Sequence, residues 1–289
     1  MTDTSQPSLA DAQPFLKWAG GKGQLLAQYD RFFPTDRGRA YFEPFAGSGA
    51  VFFELRKRDL FEQYALSDVN RELINCYKVV KKHVDELVEA LRDHKAKHEQ
   101  DAHEHYYKVR DLDRSPAWAD ASDVDRAARM IYLNKTCYNG LWRVNSKGQF
   151  NVPMGRYAKP DILSETRLRA ASLALQDVDV NTRPFDAVLD RAQTGDFVYF
   201  DPPYDPLSST ANFTSYSADS FGQDDQWRLA ETFRALAERG CTVMLSNSDT
   251  DFVRGLYEGF RVETVTARRA INSKGGKRGE ITEVLVVNY

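Results

Sequence analysis

The four consecutive residues Asp201, Pro202, Pro203 and Tyr204 place a carboxylate, two rigid rings and an aromatic plane directly after an apolar run. Two successive prolines fix two φ angles and remove two backbone donors, so the Pro202 carbonyl is left facing outward beside the Asp201 carboxylate. Two neighbouring acceptors next to a flat ring suit an NH2 group, which points to amino-group chemistry on a nucleobase. Taken alone, the same residues also fit a turn without chemistry. The preceding segment, Asp196 to Phe200, has the β-branched and aromatic content of a buried strand. Open α/β sheets bind their ligands at the carboxyl ends of such strands.

Further elements must position this tetrapeptide. Tyr41 to Ala46 reads as an extended apolar segment, Gly47-Ser48-Gly49-Ala50 as a glycine turn, and Val51 to Leu55 as a helix. Tyr64 to Asp68 reads as a second strand ending in an acid, and Asn70 can cap a helix carrying Leu73, Ile74, Tyr77, Val80 and Val84. A glycine loop after a first strand lets a ligand approach the backbone, and an acid ending the second strand can accept bonds from ribose hydroxyls. Glu43, Pro44, Phe45, Gly47, Gly49 and Asp68 fit that arrangement. The loop lacks the third glycine of the dinucleotide fingerprint and also fits a bare turn; its coupling to Asp68 points to an adenosine-bearing cofactor. Upstream, Phe15 to Lys22 is not a phosphate loop, because Gly23 rather than Ser or Thr follows Lys22. Trp18 within it fits the core as well as a site.

From Asn70 to Ala121 the pattern is helical and charged, continuing through Ala127 to Leu133, with no parallel strand expected. Tyr138 to Tyr157 changes character: short runs punctuated by Asn139-Gly140, Lys147-Gly148 and Met154-Gly155 predict a β-hairpin. A helix around Trp227 to Leu236 and a buried strand Val243 to Leu245 follow. Phe260 to Val265 and Thr282 to Val287 should pair antiparallel across the basic loop Ser273 to Gly279.

At 289 residues the chain has room for one large α/β core and a smaller second unit. Met1 to Pro14 is polar and is expected to be a disordered tail, and no apolar stretch approaches the ~18 residues of a membrane span. A cytoplasmic protein without a membrane segment is expected. Cys76, Cys137 and Cys241 are odd in number and far apart, which argues for reduced thiols. None follows a proline, which disfavours cytosine C5 methylation. His83, His94, His98, His103 and His105 lie on one polar helical stretch and read as a solvated face; no metal site is expected. The net charge of −3 conceals a contrast: Lys135, Arg143, Lys147, Arg156 and Lys159 fall in an acid-free stretch, as do Arg268, Arg269, Lys274, Lys277 and Arg278. Basic strips on a mildly acidic body suit an enzyme that binds a polyanion and leaves it.

In this order the motifs resemble the Dam-type (alpha-group, D12 class) DNA adenine N6-methyltransferases. The likeness runs from Phe15 to Tyr289. It rests on Lys17-Trp18-Ala19-Gly20-Gly21-Lys22, Pro44-Phe45-Ala46-Gly47-Ser48-Gly49 and Asp201-Pro202-Pro203-Tyr204, and between them on Tyr132-Leu133-Asn134, Tyr138 to Leu141, Arg143, Gly148, Phe150 to Pro153 and Gly155 to Tyr157. Thr210 to Thr214 matches as well. The resemblance implies an α/β fold: the Rossmann-like mixed sheet of S-adenosylmethionine-dependent methyltransferases, with helices on both faces. It implies a catalytic unit of residues 1–69 and 160–289 and a mostly helical target-recognition insert of residues 70–159, with a DNA-reading hairpin at 135–157. Asp201, Pro202, Pro203 and Tyr204 would be catalytic. S-adenosylmethionine would be held by Trp18, Lys22 and Asp68, with Asp201 bridging cofactor and base. Double-stranded DNA would be read by Lys17, Tyr138, Asn139, Leu141, Arg143, Asn151, Pro153, Arg156 and Tyr157, the target being GATC and the adenine flipped out of the duplex. A monomer with no obligate protein partner suffices, since one base and one cofactor occupy each chain. An RNA or other amine methyltransferase with the same pocket, or an inactive DNA-binding module, are the alternatives. Lys135-Thr136-Cys137 and the helical stretch from Lys95 to Asp125 depart from the family pattern.

Overall fold

A computed structural model of the chain describes residues 7–18, 20–206, 221–268 and 280–289, and of residues 267, 268, 280 and 281 the backbone alone. The matched segment Thr210 to Thr214 and the basic residues Arg269, Lys274, Lys277 and Arg278 lie outside the described residues. In chain order the elements are α1 (Leu26–Tyr29), β1 (Gly38–Glu43), α2 (Ala50–Lys57), β2 (Phe61–Asp68), α3 (Arg71–Lys82), α4 (Val84–Gln100), α5 (Ala102–Arg110), α6 (Asp123–Thr136) and α7 (Glu165–Leu175). They continue with β3 (Asp179–Thr182), β4 (Phe197–Phe200), α8 (Gln223–Glu238), β5 (Thr242–Ser248), α9 (Asp251–Leu256), β6 (Arg261–Arg268) and β7 (Glu280–Val287).

Among the described residues these strands form one sheet in the order β3-β2-β1-β4-β5-β7-β6. β1 to β5 run parallel, whereas β7 is antiparallel to both β5 and β6. The expected α/β mixed sheet is therefore present. Because β1 lies beside β4 rather than between consecutive strands, the winding reverses between them, and their carboxyl ends splay into a crevice.

Side-chain alternation along the strands divides the core in two. Tyr41, Leu66, Phe197, Tyr199 and Met244 face a cluster shared with α2, α3, α4, α6 and α7. Phe42, Ala65, Val198, Phe200 and Leu245 face a second cluster built with Leu229, Phe233 and Leu236 of α8 and Val253 and Leu256 of α9. Both faces are thus covered by helices. The helices between β2 and β3 have no core of their own among the described residues; they share the first cluster with the sheet. Asn70 caps α3 as expected, accepting the Leu73 N–H at 3.1 Å.

Three local expectations differ from the structure. The segment from Ser8 to Ala12 is not a tail: Leu9 to Asp11 form a helical turn held by the Ser8 and Asp11 side chains, and Ala12 is buried. β3 was not expected, because the four residues Asp-Val-Asn-Thr of an edge strand carry no apolar run to mark them. The stretch Tyr138 to Tyr157 is an irregular hairpin rather than two full strands: its arms share isolated antiparallel bridges, Cys137 with Met154 and Val144 with Phe150, and backbone hydrogen bonds such as Asn151 N–H to the Arg143 carbonyl at 3.1 Å and Asn145 N–H to the Gln149 carbonyl at 2.8 Å. Polar side chains reinforce this broken ladder. The Phe150 N–H donates to Asp113 (2.8 Å), the Phe150 carbonyl accepts from Arg114 (3.0 Å), and the Tyr106 hydroxyl donates to the Val152 carbonyl (2.9 Å).

The histidines read as a solvated face are partly packed instead. His94 stacks on Tyr132 and meets His105 at 3.0 Å, and His98 meets the Tyr132 hydroxyl at 2.8 Å. Burial, helped by the neighbouring His105, lowers His94 from 6.5 to about 4, so the unfolded chain takes up a proton that the folded one refuses. The contribution is fully present above pH 6.5 and is lost as pH falls toward 4. We expect the drop in urea midpoint between pH 7.5 and pH 5 to be smaller in His94→Gln than in the parent chain; equal drops would show that His94 does not govern acid stability.

Candidate active site and nucleic-acid interface

Asp201 follows the last residue of β4 and so stands at the reversal point of the sheet. Its side chain is 20% exposed, while Lys22, which approaches from the glycine turn after Trp18, is 3% exposed. The Lys22 ammonium lies 2.7 Å from Asp201 Oδ1, donates to the Gly20 carbonyl and sits 4.6 Å above the Tyr204 ring. The Ser246 hydroxyl donates to the same Oδ1 at 2.9 Å and pairs with the Tyr199 hydroxyl at 2.9 Å. Burial raises the Asp201 pKa, and the Lys22 charge and the two hydrogen bonds oppose the rise. Among the described residues Asp201 Oδ2 and the Pro202 carbonyl accept no hydrogen bond.

The turn itself is fixed from β5 and α8. Gln226 donates to the Pro203 carbonyl at 2.9 Å and accepts from Asn247 at 3.0 Å, and Asn247 Oδ1 accepts the Asp205 N–H at 3.2 Å. Gln226 and Asn247 are both buried, so this chain of amides has few alternatives to the geometry it makes. Tyr204 is oriented by its hydroxyl, which donates to Glu283 of β7 at 2.6 Å. Sequence reasoning missed Ser246, Gln226, Asn247 and Glu283. Their only signal was polarity inside otherwise apolar elements, as in Leu245-Ser246-Asn247-Ser248.

The glycine turn after β1 lies across the crevice. Gly47 and Gly49 have φ of +45° and +68°, and a Cβ would meet the Trp18 ring at 3.1 Å on the first and the Tyr77 hydroxyl at 2.7 Å on the second. Gly49 is sterically closed to a side chain, and at Gly47 the positive φ and the close Trp18 ring both disfavour one. Asp68 accepts from the N–H groups of Gly47 (3.4 Å) and Asn70 (2.9 Å), and burial pushes its carboxyl up to about 6. Glu43 is more enclosed: its Oε2 accepts from the Tyr41 hydroxyl at 2.6 Å and the Phe52 N–H at 3.0 Å, and burial pushes it up to about 8. It ties the end of β1 to the first turn of α2. Pro44 is buried, and Phe45 packs on Phe185, Phe200 and Phe221.

The residues assigned to DNA reading gather at the end of α6. Asn134 is the knot: its amide carbonyl accepts the Lys17 N–H at 2.8 Å, and its NH2 donates to the carbonyls of Lys17 (2.7 Å) and Gly140 (3.0 Å). Tyr138 is 46% exposed and Asn139, at φ +56°, is exposed at the tip of the turn. The Tyr138 N–H donates to the Pro153 carbonyl at 2.9 Å, bringing the two arms together. The Lys17 ammonium lies 4.4 Å above the Tyr157 ring. Arg143 is exposed and donates to Asn151 at 2.8 Å; Arg156 and Pro153 are exposed, and Leu141 is half-buried against the core cluster. Trp142 and Phe150 anchor this surface from beneath, and Arg129, paired with Asp113 at 2.7 Å, supports it.

Over residues 18–271 the chain matches the family described as D12 class N6 adenine-specific DNA methyltransferase. The type II methyltransferase M.MjaIII of Methanocaldococcus jannaschii is 47% identical to it, over 96% of this chain and 100% of the relative. The type II methyltransferase M1.LlaDCHI of Lactococcus lactis is 41% identical over 98% of each chain. The DNA adenine methylase of Escherichia coli is 39% identical over 94% of each. A family match across most of the sequence, with relatives aligned over nearly their whole length, places this chain in the D12 class of adenine-specific DNA methyltransferases.

Proposed function

We propose that the chain methylates N6 of an adenine flipped out of duplex DNA, within GATC or a closely similar site, using S-adenosylmethionine and acting as a monomer. One observation carries the reading: at the reversal point of the sheet, Asp201 Oδ2 and the Pro202 carbonyl are neighbouring acceptors that no described group occupies. An exocyclic NH2 has two hydrogens to donate, and a base must leave the stack to present them.

The site fits the donor. A glycine turn whose Cβ positions are crowded by Trp18 and Tyr77, and a half-buried acid at the end of β2, suit the close approach of an adenosine moiety. Trp18, Lys22, Asp68 and the turn from Glu43 to Gly49 would hold it. When bound, it supplies an electrophilic methyl carbon on a sulfonium, open to in-line attack by nitrogen, and the bonding electron pair stays on sulfur.

The protein's part is orientation and electrostatics. Asp201 and the Pro202 carbonyl draw the two N6 hydrogens into the plane they define, which turns the nitrogen lone pair out of the ring. Tyr204, steadied by Glu283, offers its face to the extruded base. Asp201 need not take a proton beforehand; it receives one as N6 becomes cationic. At the interface, Tyr138 fills the gap left in the stack and Arg143 reads a base edge in the major groove, backed by Asn151. We also read residues 70–159 as the recognition unit, its surface set by Asn134.

Asp201→Ala should cut methyl transfer by roughly 10²-fold or more, the scale of losing one preorganised polar contact, with duplex binding retained. Turnover within about tenfold of the parent would overturn the assignment. Lys22→Met removes the charge that holds the Asp201 pKa down, so the acid limb of the kcat–pH profile should move to higher pH; an unmoved limb would show that the ion pair does not set it. Arg143→Ala should relax base choice at one position of the site by about 1–3 kcal/mol, read by sequencing methylated DNA. Uniform weakening on all sequences would make Arg143 a phosphate contact instead.

A further inference from the structure

The arm that carries Asn151 offers its backbone groups to two opposite edges, as any extended chain does. On the inner edge the Asn151 N–H donates to the Arg143 carbonyl at 3.1 Å, and the Gln149 carbonyl accepts from the Asn145 N–H at 2.8 Å. The N–H and carbonyl of Phe150 and the carbonyl of Val152 therefore face outward, where an edge strand ordinarily leaves such groups without partners. Here each has one. Asp113 Oδ2 accepts the Phe150 N–H at 2.8 Å, Arg114 donates to the Phe150 carbonyl at 3.0 Å, and the Tyr106 hydroxyl donates to the Val152 carbonyl at 2.9 Å. Side chains from α5 and the helical turn Asp111–Arg114 thus stand in the place of a further strand.

This brace is itself anchored. Asp113 is 10% exposed, and its Oδ1 meets Arg114 at 2.7 Å while its Oδ2 meets Arg129 at 2.7 Å. Arg129, buried in α6, also donates to the carbonyls of Val109 (2.9 Å) and Arg110 (2.7 Å) at the end of α5, and it lies 5.0 Å from the Trp118 ring. A carboxylate held on both oxygens by guanidinium groups has little freedom to shift. Beneath the arm the Phe150 and Val152 side chains are buried, with Trp142 4.9 Å from the Phe150 ring. Arg129 and Asn134 both belong to α6, so one helix supports the arm and the Tyr138 turn together.

We propose that Asp113, Arg114 and Tyr106 are positioning residues for base choice: by fixing the outer edge of the arm they set where Arg143 and Asn151 stand against the duplex. The inference rests on Arg143 reading a base, as proposed above. Arg143 is tied to Asn151 both through its Nε, which donates to the Asn151 side chain at 2.8 Å, and through its carbonyl at 3.1 Å, so a displacement of the arm reaches the guanidinium. A paired contact to a base edge holds only while its donors stay within about 0.5 Å of the productive geometry. Base choice then depends on the helical stretch from Lys95 to Asp125 as well as on the side chains that face the groove.

The test has the full chain methylate a pooled library of duplexes randomised across the target site, and sequencing then gives the discrimination at each base pair. Parent, Asp113→Asn, Arg114→Gln, Tyr106→Phe, Arg143→Ala and the double variant Arg143→Ala with Arg114→Gln are compared, each checked for folding by thermal unfolding. Asp113→Asn and Arg114→Gln should lower discrimination about tenfold at the position that Arg143→Ala relaxes, and Tyr106→Phe, which loses one hydroxyl, should lower it less. In the double variant the loss should not exceed that of Arg143→Ala alone, because the brace acts through Arg143. Losses that add, or that spread evenly over every position, would overturn the proposal and leave the brace with a part in stability only. Should Asp113→Asn not fold, Arg114→Gln, at a side chain 32% exposed, carries the comparison. If Arg143→Ala relaxes base choice while the brace variants keep the parent's discrimination, this proposal alone fails. If Arg143→Ala itself leaves base choice unchanged, the reading of Arg143 fails and takes the proposal with it.

Discussion

The contact on which the site depends is the ion pair between Lys22 and Asp201. A carboxylate at the end of a buried strand is unstable as an anion unless a charge or donors face it. Here one oxygen meets the Lys22 ammonium at 2.7 Å and the Ser246 hydroxyl at 2.9 Å. The other oxygen remains available. Holding the anion through one oxygen alone preserves both its charge and a free acceptor, and it draws the segment after Trp18 down onto the sheet. The same ammonium lies over the Tyr204 ring, so the ion pair also sets the spacing between the carboxylate and the aromatic plane.

Around that pair the structure spends buried polar groups sparingly and in closed sets. Gln226, Asn247, Asp205 and the Pro203 carbonyl satisfy one another from α8, β5 and the turn. Glu43, Tyr41 and the Phe52 N–H do the same beneath the glycine turn. Such sets are costly when incomplete and rigid when complete. They explain how a tetrapeptide outside regular secondary structure keeps a fixed orientation.

The architecture was legible in the sequence where burial leaves a periodic trace. β4 is a continuous apolar run and β5 carries one at Val243 to Leu245, α3 shows its cap at Asn70, and β6 and β7 pair antiparallel as expected. The Asp201 turn and the glycine turn were legible because prolines and glycines constrain the backbone directly. β3 was not, since a four-residue polar edge strand owes its pairing to β2 and not to any pattern of its own. The reader's shape was only half legible: glycines marked the turns of Tyr138 to Tyr157, but not that Asp113, Arg114 and Tyr106 would hold its arms. Those bonds join residues 36 to 46 positions apart, a separation at which local spacing carries no information.

The helices that carry the proposed DNA-reading surface share one apolar cluster with a face of the sheet. Asn134 fastens the Tyr138 turn and the segment at Lys17 to the same body. Under the proposed function such a body would act as a gauge of fixed span, with the distance from the contacted bases to the reacting amine built into the protein. On that reading, a sequence that fits the gauge would deliver its adenine in place, and one that does not would be refused by a misplacement at the chemistry rather than by weaker adhesion. Deformation on encounter would then fall chiefly to the nucleic acid, whose readiness to bend and unstack would become part of what the enzyme selects.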